Sequence, residues 1–149
     1  MGRLTLSVSG DVYVDAQTMI YTVETHPVYA SLCRPLWEAA VRKQIRVVSS
    51  ELTLMETLVL PIRNHNLLLE MTFERFLLAS DTTLLPITQD ILREAARLRA
   101  TISGLKTPDA IHAATALLTQ CDLFITNDRG FARVPGLSLA MLDDVLAAP

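Results

Sequence analysis

The sequence predicts an α/β fold, a parallel sheet covered by helices on both faces. Two observations lead there. Short strand-like apolar runs alternate along the 149 residues with longer segments whose apolar residues recur at helical spacing. Strands separated by helices favour parallel pairing, because each crossover lays a helix on one face of the sheet. No internal repeat, low-complexity stretch or linker breaks the series, so one domain is expected over residues 1–149.

The elements follow in order. Residues ~11–15 read as the first strand and ~16–23 as a short helix. Residues ~28–44 read as one longer helix, with Val28, Leu32, Leu36, Ala39 and Ala40 at helical spacing. Arg46-Val47-Val48-Ser49 reads as a second strand, and Ser50 as a cap for a helix over ~51–63 that Pro61 interrupts. A Leu- and Phe-rich helix is expected over ~66–79. Thr83-Leu84-Leu85-Pro86-Ile87 is a third strand whose proline suits a sheet edge. Ile91, Leu92, Ala95, Leu98 and Ile102 share one face of a helix over ~90–102. Pro108 opens the next helix at ~108–119, at a favoured first-turn position. A fourth strand over ~123–127, a short fifth over ~137–142 and a helical tail complete the series. Residues 1–10, where Leu4, Leu6 and Val8 alternate, read as an N-terminal extension rather than an edge strand.

Composition narrows the function. Apolar residues make up 50% of the chain and the mean hydropathy is +0.33, so part of the surface is expected to be covered by a second copy or another partner. No apolar stretch approaches the ~18 residues of a membrane span, and no basic region followed by an apolar segment marks the start for secretion. A cytoplasmic location follows, and Cys33 and Cys121 read as two free thiols, since no Cys-x-x-Cys pair or Cys/His cluster exists for zinc. A net charge of −3 argues against a long DNA-wrapping surface. It leaves open a nucleic-acid site whose acids are gathered for a metal.

Four acids sit where acids are awkward. Asp15 closes Val12-Tyr13-Val14, Glu56 lies within Leu52–Leu60, Asp109 opens an Ala-rich helix, and Asp128 ends Leu123–Asn127. Taken singly, Asp15 is a helix cap, Asp109 a first-turn acid and Asp128 a turn residue. Glu56 falls about 40° from Leu52 and Leu60 on a helical wheel, so apolar neighbours flank it. Taken together, they stand at strand ends and in the helices that start from the same sheet edge, where open α/β folds bind ligands. Clustered carboxylates repel unless a cation intervenes, and an all-oxygen set suits Mg²⁺ or Mn²⁺. The chemistry that follows is metal-assisted hydrolysis of phosphate esters without a covalent intermediate: no Gly-x-Ser-x-Gly elbow or Cys/His arrangement is present.

At these residues the sequence resembles the PIN-domain family, in particular VapC-type toxins of toxin–antitoxin pairs. The resemblance runs from about residue 11 to 144, through Val12–Tyr21, Ser49–Glu56, Leu105–Ala116 and Phe124–Phe131. It implies a three-layer α/β/α sandwich and an Mg²⁺- or Mn²⁺-dependent ribonuclease restrained by a small antitoxin. By position Asp15, Glu56 and Asp109 match the family's metal-binding acids. Asp128 matches a fourth position that varies between acid and amide, and Thr126 a hydroxyl residue that supports the site. Gln17 departs from the usual Asn or Ser two residues after the first acid, though its amide is long enough to serve a metal-bound water or a phosphate. The expected partners are an RNA substrate, an antitoxin and a second copy of the chain. The competing expectation is a non-catalytic module of the same fold that grips RNA or a protein. An aspartyl phosphatase would want a second acid where Gln17 stands.

Other residues read more plainly. His112, one turn from Asp109, is expected to pack or be exposed rather than act, and His26 and His65 to lie at the surface. Lys106, Arg129 and Arg133 flank two of the acidic motifs and are equally suited to RNA phosphates or to solvent. Trp37, Phe73 and Phe76 are expected in the core or a dimer contact.

Overall fold

Five strands form one parallel sheet: β1 (Asp11–Val14), β2 (Arg46–Ser50), β3 (Thr82–Leu85), β4 (Leu123–Thr126) and β5 (Leu139–Met141). Their spatial order is β3-β2-β1-β4-β5. Every pairing is parallel, with Tyr13 beside Val48 on one side and Phe124 on the other. The computed structural model describes residues 2–6, 9–79 and 81–149. From β1 the chain builds outward through β2 and β3, then returns to build the other way through β4 and β5. The topological switch point therefore lies between β1 and β4.

Strand alternation sends the core to both faces. Val12, Val14, Val47 and Ile125 face a layer with Met19, Leu36 and Leu77, supplied by α1 (Ala16–Val23), α3 (Arg34–Val41) and α5 (Leu67–Leu77). Tyr13, Val48 and Phe124 face the opposite layer with Ile91, Leu98 and Ile111, from α6 (Gln89–Thr101) and α7 (Thr107–Leu118). This is a three-layer α/β/α sandwich. Ala110, Ala113 and Ala114 are fully buried, and side chains this small let α7 lie close to the sheet.

Three expectations are corrected. The helix over ~28–44 is two helices, α2 (Tyr29–Leu32) and α3. Pro35 is harmless in the first turn of α3; in one continuous helix it would strip the Ser31 carbonyl of its donor and clash with it. Pro61, conversely, does not end α4 (Leu52–Arg63) but is buried inside it. The core face of α4 is Thr53, Thr57 and Pro61, while Leu60, expected to flank Glu56 with core, is 55% exposed. Hydroxyls replace apolar contacts there: Thr53 Oγ1 meets Ser49 Oγ at 2.7 Å and Thr57 Oγ1 donates to the Thr53 carbonyl at 2.9 Å.

The inversion leaves Met55, Val59, Leu60 and Ile62 of α4 exposed alongside Leu67, Leu68 and Met71 of α5. Trp37 packs edge-on to Phe76 at 5.0 Å, and Phe73 is buried, as expected of core residues. Gly2–Leu6 form no strand, yet Leu4 is buried in the core. Val8, the last residue of that alternation, lies outside the described residues. Cys33 and Cys121 are free, and burial pushes the Cys33 thiol up to about 12, so it is unreactive as a thiolate. Among the described residues no helix is long and apolar enough to cross a membrane.

Candidate active site

Asp15 stands where β1 ends and α1 begins. Its extended backbone lets the side chain turn back as the cap of α1: Oδ1 accepts from the Thr18 N–H at 3.0 Å and from Thr18 Oγ1 at 2.8 Å. Oδ2 accepts from Thr126 Oγ1 at 2.5 Å. Burial pushes the carboxyl up from its usual range, and the Thr126 and Thr18 donors pull it back. The capping bonds of α1 and the tie to β4 thus meet on one side chain.

Thr126 ends β4 and ties Asp15 to the next acid, since its Oγ1 also accepts from the Asp128 N–H at 3.0 Å. Asp128 Oδ1 accepts from the Gly130 N–H at 2.7 Å, opening a 3₁₀ turn over Arg129–Arg133 that the sequence did not suggest. A Cβ on Gly130 would meet Asp128 Oδ1 at 3.0 Å, so glycine permits this close turn.

Asp109 lies in the first turn of α7 just after Pro108. Burial and then the charge of Asp128 push its carboxyl up; His112 and Lys106 offset this, and Glu56 adds to it. Glu56, on α4, is held at Oε1 by His112 Nε2 at 2.5 Å. His112 is only 2% exposed, packed as one of the two expectations had it, and its Nδ1 meets the Tyr13 hydroxyl at 2.5 Å.

Asp15, Glu56, Asp109 and Asp128 line one open cleft of about 500 Å³ at the switch point, with Gln17 and Arg129 also on its wall. Gln17 is exposed there. Arg129 pairs with Asp144 at 2.6 Å across solvent, a contact of little strength. Arg133 is bound to the Ser103 carbonyl.

The four acids share the cleft without closing on one point. Among the described residues no three His, Cys, Asp or Glu side chains are drawn to the spacing of a metal cage. The donor set nevertheless fits a hard divalent cation. It is all oxygen; among the described residues no Lys or Arg is ion-paired to these four acids. Each carboxylate also keeps acceptor capacity beyond the bonds named.

The burial of Asp109, with the repulsion of its neighbours, has a measurable consequence. A carboxyl whose pKa is raised by folding contributes stability below its unfolded value, ~3.9, and loses it as pH rises through the folded value. At neutral pH Asp109 is therefore a liability to the metal-free fold. Asp109→Asn is expected to melt higher than the parent at pH 7.5 with chelator, the gap narrowing as pH falls toward ~4. A lower melting point at pH 7.5 would show that its first-turn dipole contact outweighs the repulsion.

The sequence matches the PIN domain family over residues 12–137, and the chain belongs to that family. Solved structures with the same fold come from toxin–antitoxin systems. A toxin–antitoxin complex from Klebsiella pneumoniae contains a chain 26% identical, with TM-score 0.66, covering 88% of this chain and 97% of that one. VapBC2 from Rickettsia felis, bound to a promoter DNA fragment, matches with TM-score 0.70 at 16% identity, over 88% of this chain and 98% of that one. VapC20 from Mycobacterium tuberculosis, a Sarcin-Ricin loop cleaving toxin, matches with TM-score 0.68 at 17% identity, over 83% and 95%. At 16% and 17% identity the last two speak to the fold alone. No curated protein matches the sequence significantly.

Proposed function

We propose that this protein is a divalent-metal-dependent endoribonuclease, the toxin of a toxin–antitoxin pair, acting in the cytoplasm. The observation that carries the reading is the arrival of four acids, from the ends of β1 and β4 and from α4 and α7, on one open cleft. Asp15, Glu56, Asp109 and Asp128 would hold Mg²⁺ or Mn²⁺, directly or through water. Such an ion supplies Lewis-acid neutralisation of phosphodiester oxygens and lowers the pKa of a water.

The chain's own residues bind and orient. Asp15 is fixed by three donors, and Asp128 is linked to it through Thr126. Gln17 and Arg129 on the cleft wall would offer an amide and, once released from Asp144, a guanidinium to RNA phosphates. The PIN family membership supports a nuclease, and among structures of the same fold one from Mycobacterium tuberculosis is described as a Sarcin-Ricin loop cleaving toxin. The exposed apolar surface of α4 and α5 supports a covering partner, either a small antitoxin or a second copy of the chain.

The test is cleavage of mixed-sequence RNA by metal-free protein given Mg²⁺ or Mn²⁺. Cleavage is expected to appear with either ion and vanish with EDTA. Cleavage that survives EDTA would remove the metal from the reading. The competing reading, a non-catalytic module gripping RNA or a protein, draws on the open spacing of the acids. It wins if RNA or a partner protein binds but no RNA is cut at any metal concentration.

A further inference from the structure

The buried contact between α4, α7 and β1 carries an inference that rests on the site just proposed. Tyr13 is fully buried on the face of β1 opposite Val12 and Val14. Its ring stacks on Phe124 at 4.8 Å and meets His112 edge-on at 5.8 Å. A phenol is protonated at neutral pH, and a buried hydroxyl must donate its proton or leave it unsatisfied. The Tyr13 hydroxyl meets His112 Nδ1 at 2.5 Å. On the other side of the ring Nε2 faces a carboxylate oxygen, Glu56 Oε1, at 2.5 Å, so Nε2 carries the hydrogen of that bond. A ring protonated on Nδ1 alone would set a bare Nε2 against Oε1, two acceptors facing.

We infer that His112 is a positioning residue: buried between Tyr13 and Glu56, it holds Glu56 Oε1 as an oriented carboxylate oxygen and leaves Oε2 for a cation. The need for such a tether is visible in α4 itself. Its inner face is Thr53, Thr57 and Pro61, and its large apolar residues Met55, Val59 and Leu60 face solvent. Leu54 and Leu52 pack against the two core layers but are only partly buried, and the bond to His112 is the contact that holds the Glu56 carboxylate itself. Partners of this kind tune the ligand without touching the metal.

The experiment has two parts. Long-range ¹H–¹⁵N correlation on metal-free wild-type protein at pH 7.5 is expected to show His112 Nε2 protonated and hydrogen-bonded. A bare Nε2 overturns the inference. Mn²⁺ affinity, read by electron paramagnetic resonance without RNA, is expected to fall ~10- to 100-fold in His112→Leu. It should recover most of that loss in His112→Gln, whose amide N–H replaces the Nε2 donor, and fall between the two in Tyr13→Phe. A packing role alone would leave His112→Leu at wild-type affinity, and that result sinks the inference while Glu56→Gln still loses the ion. If Glu56→Gln binds Mn²⁺ like the parent, the site reading fails first and takes this one with it. Should His112→Leu not fold, the wild-type spectrum and Tyr13→Phe decide.

Discussion

Asp15→Asn is expected to lower metal-dependent RNA cleavage by on the order of 10³-fold, at or beyond the upper end for losing a single stabilising group in an active site. The substitution keeps the size of the side chain and removes its charge. Asn is as good a helix cap as Asp, so its carbonyl oxygen still accepts from the Thr18 N–H that Asp15 Oδ1 accepts now. The fold should survive and even gain, because burial holds the Asp15 carboxyl above its usual range and the amide has no charge to desolvate. The amide nitrogen cannot accept from Thr126 Oγ1, so that hydroxyl must turn. Its bond from the Asp128 N–H then adjusts with it. One substitution thus removes one acid and loosens a second. Single-turnover cleavage beside a thermal melt separates these effects. Wild-type cleavage by the folded variant would take Asp15 out of the site.

What the sequence could reveal was set by how locally each feature is encoded. Asp15, Asp109 and Asp128 could be placed because each follows a strand or opens a helix, and a strand's carboxyl end is a fixed place in an α/β fold; Glu56, inside α4, could be placed only by the start of its helix. The sheet was legible for a similar reason: Val12, Tyr13 and Val14 need only alternate to face two layers. The break at Pro35 was readable in principle, since Arg34-Pro35 sits inside the apolar spacing that suggested one helix, but propensity alone does not choose between a kink and a new start. Helix ends were blurred because Thr25, Lys43, His65 and Gln120 take left-handed backbone where a glycine would have announced the stop. The inverted face of α4 was not legible at all. A Leu-rich helix that buries threonines violates the usual pattern, and only the Ser49 hydroxyl waiting on β2 explains it. Nor was the role of His112, whose partners Tyr13 and Glu56 lie 99 and 56 positions away. Its spacing of one turn from Asp109 was the available signal, and a buried hydrogen bond between distant elements leaves no mark on periodicity.

Phe124→Ala is expected to have the largest effect on stability, a loss of about 3–5 kcal/mol from a fold whose total is of the order of 5–15 kcal/mol. At about 2–4 °C per kcal/mol for a chain of this size, the melting temperature should fall by roughly 6–20 °C. The residue is 1% exposed in the second strand of the switch point, stacked on Tyr13 at 4.8 Å and against Phe131 at 4.7 Å. The void cannot collapse easily. The α7 residues of its cluster are mostly alanines beside Ile111, which leaves few side chains to swing inward, and the strand is pinned by ladders to both β1 and β5. The same vacancy reaches the site from two directions. Tyr13 loses the ring that holds it against His112, and Phe131 loses the ring that seats the turn following Asp128. Mn²⁺ affinity should therefore fall even at temperatures where the variant is folded. Leu68→Ser, on the exposed surface of α5, provides the contrast: it should change the stability of the isolated chain by less than ~0.5 kcal/mol. If Phe124→Ala melted within a few degrees of the parent, the aromatic stack would be filler rather than the joint between sheet and site.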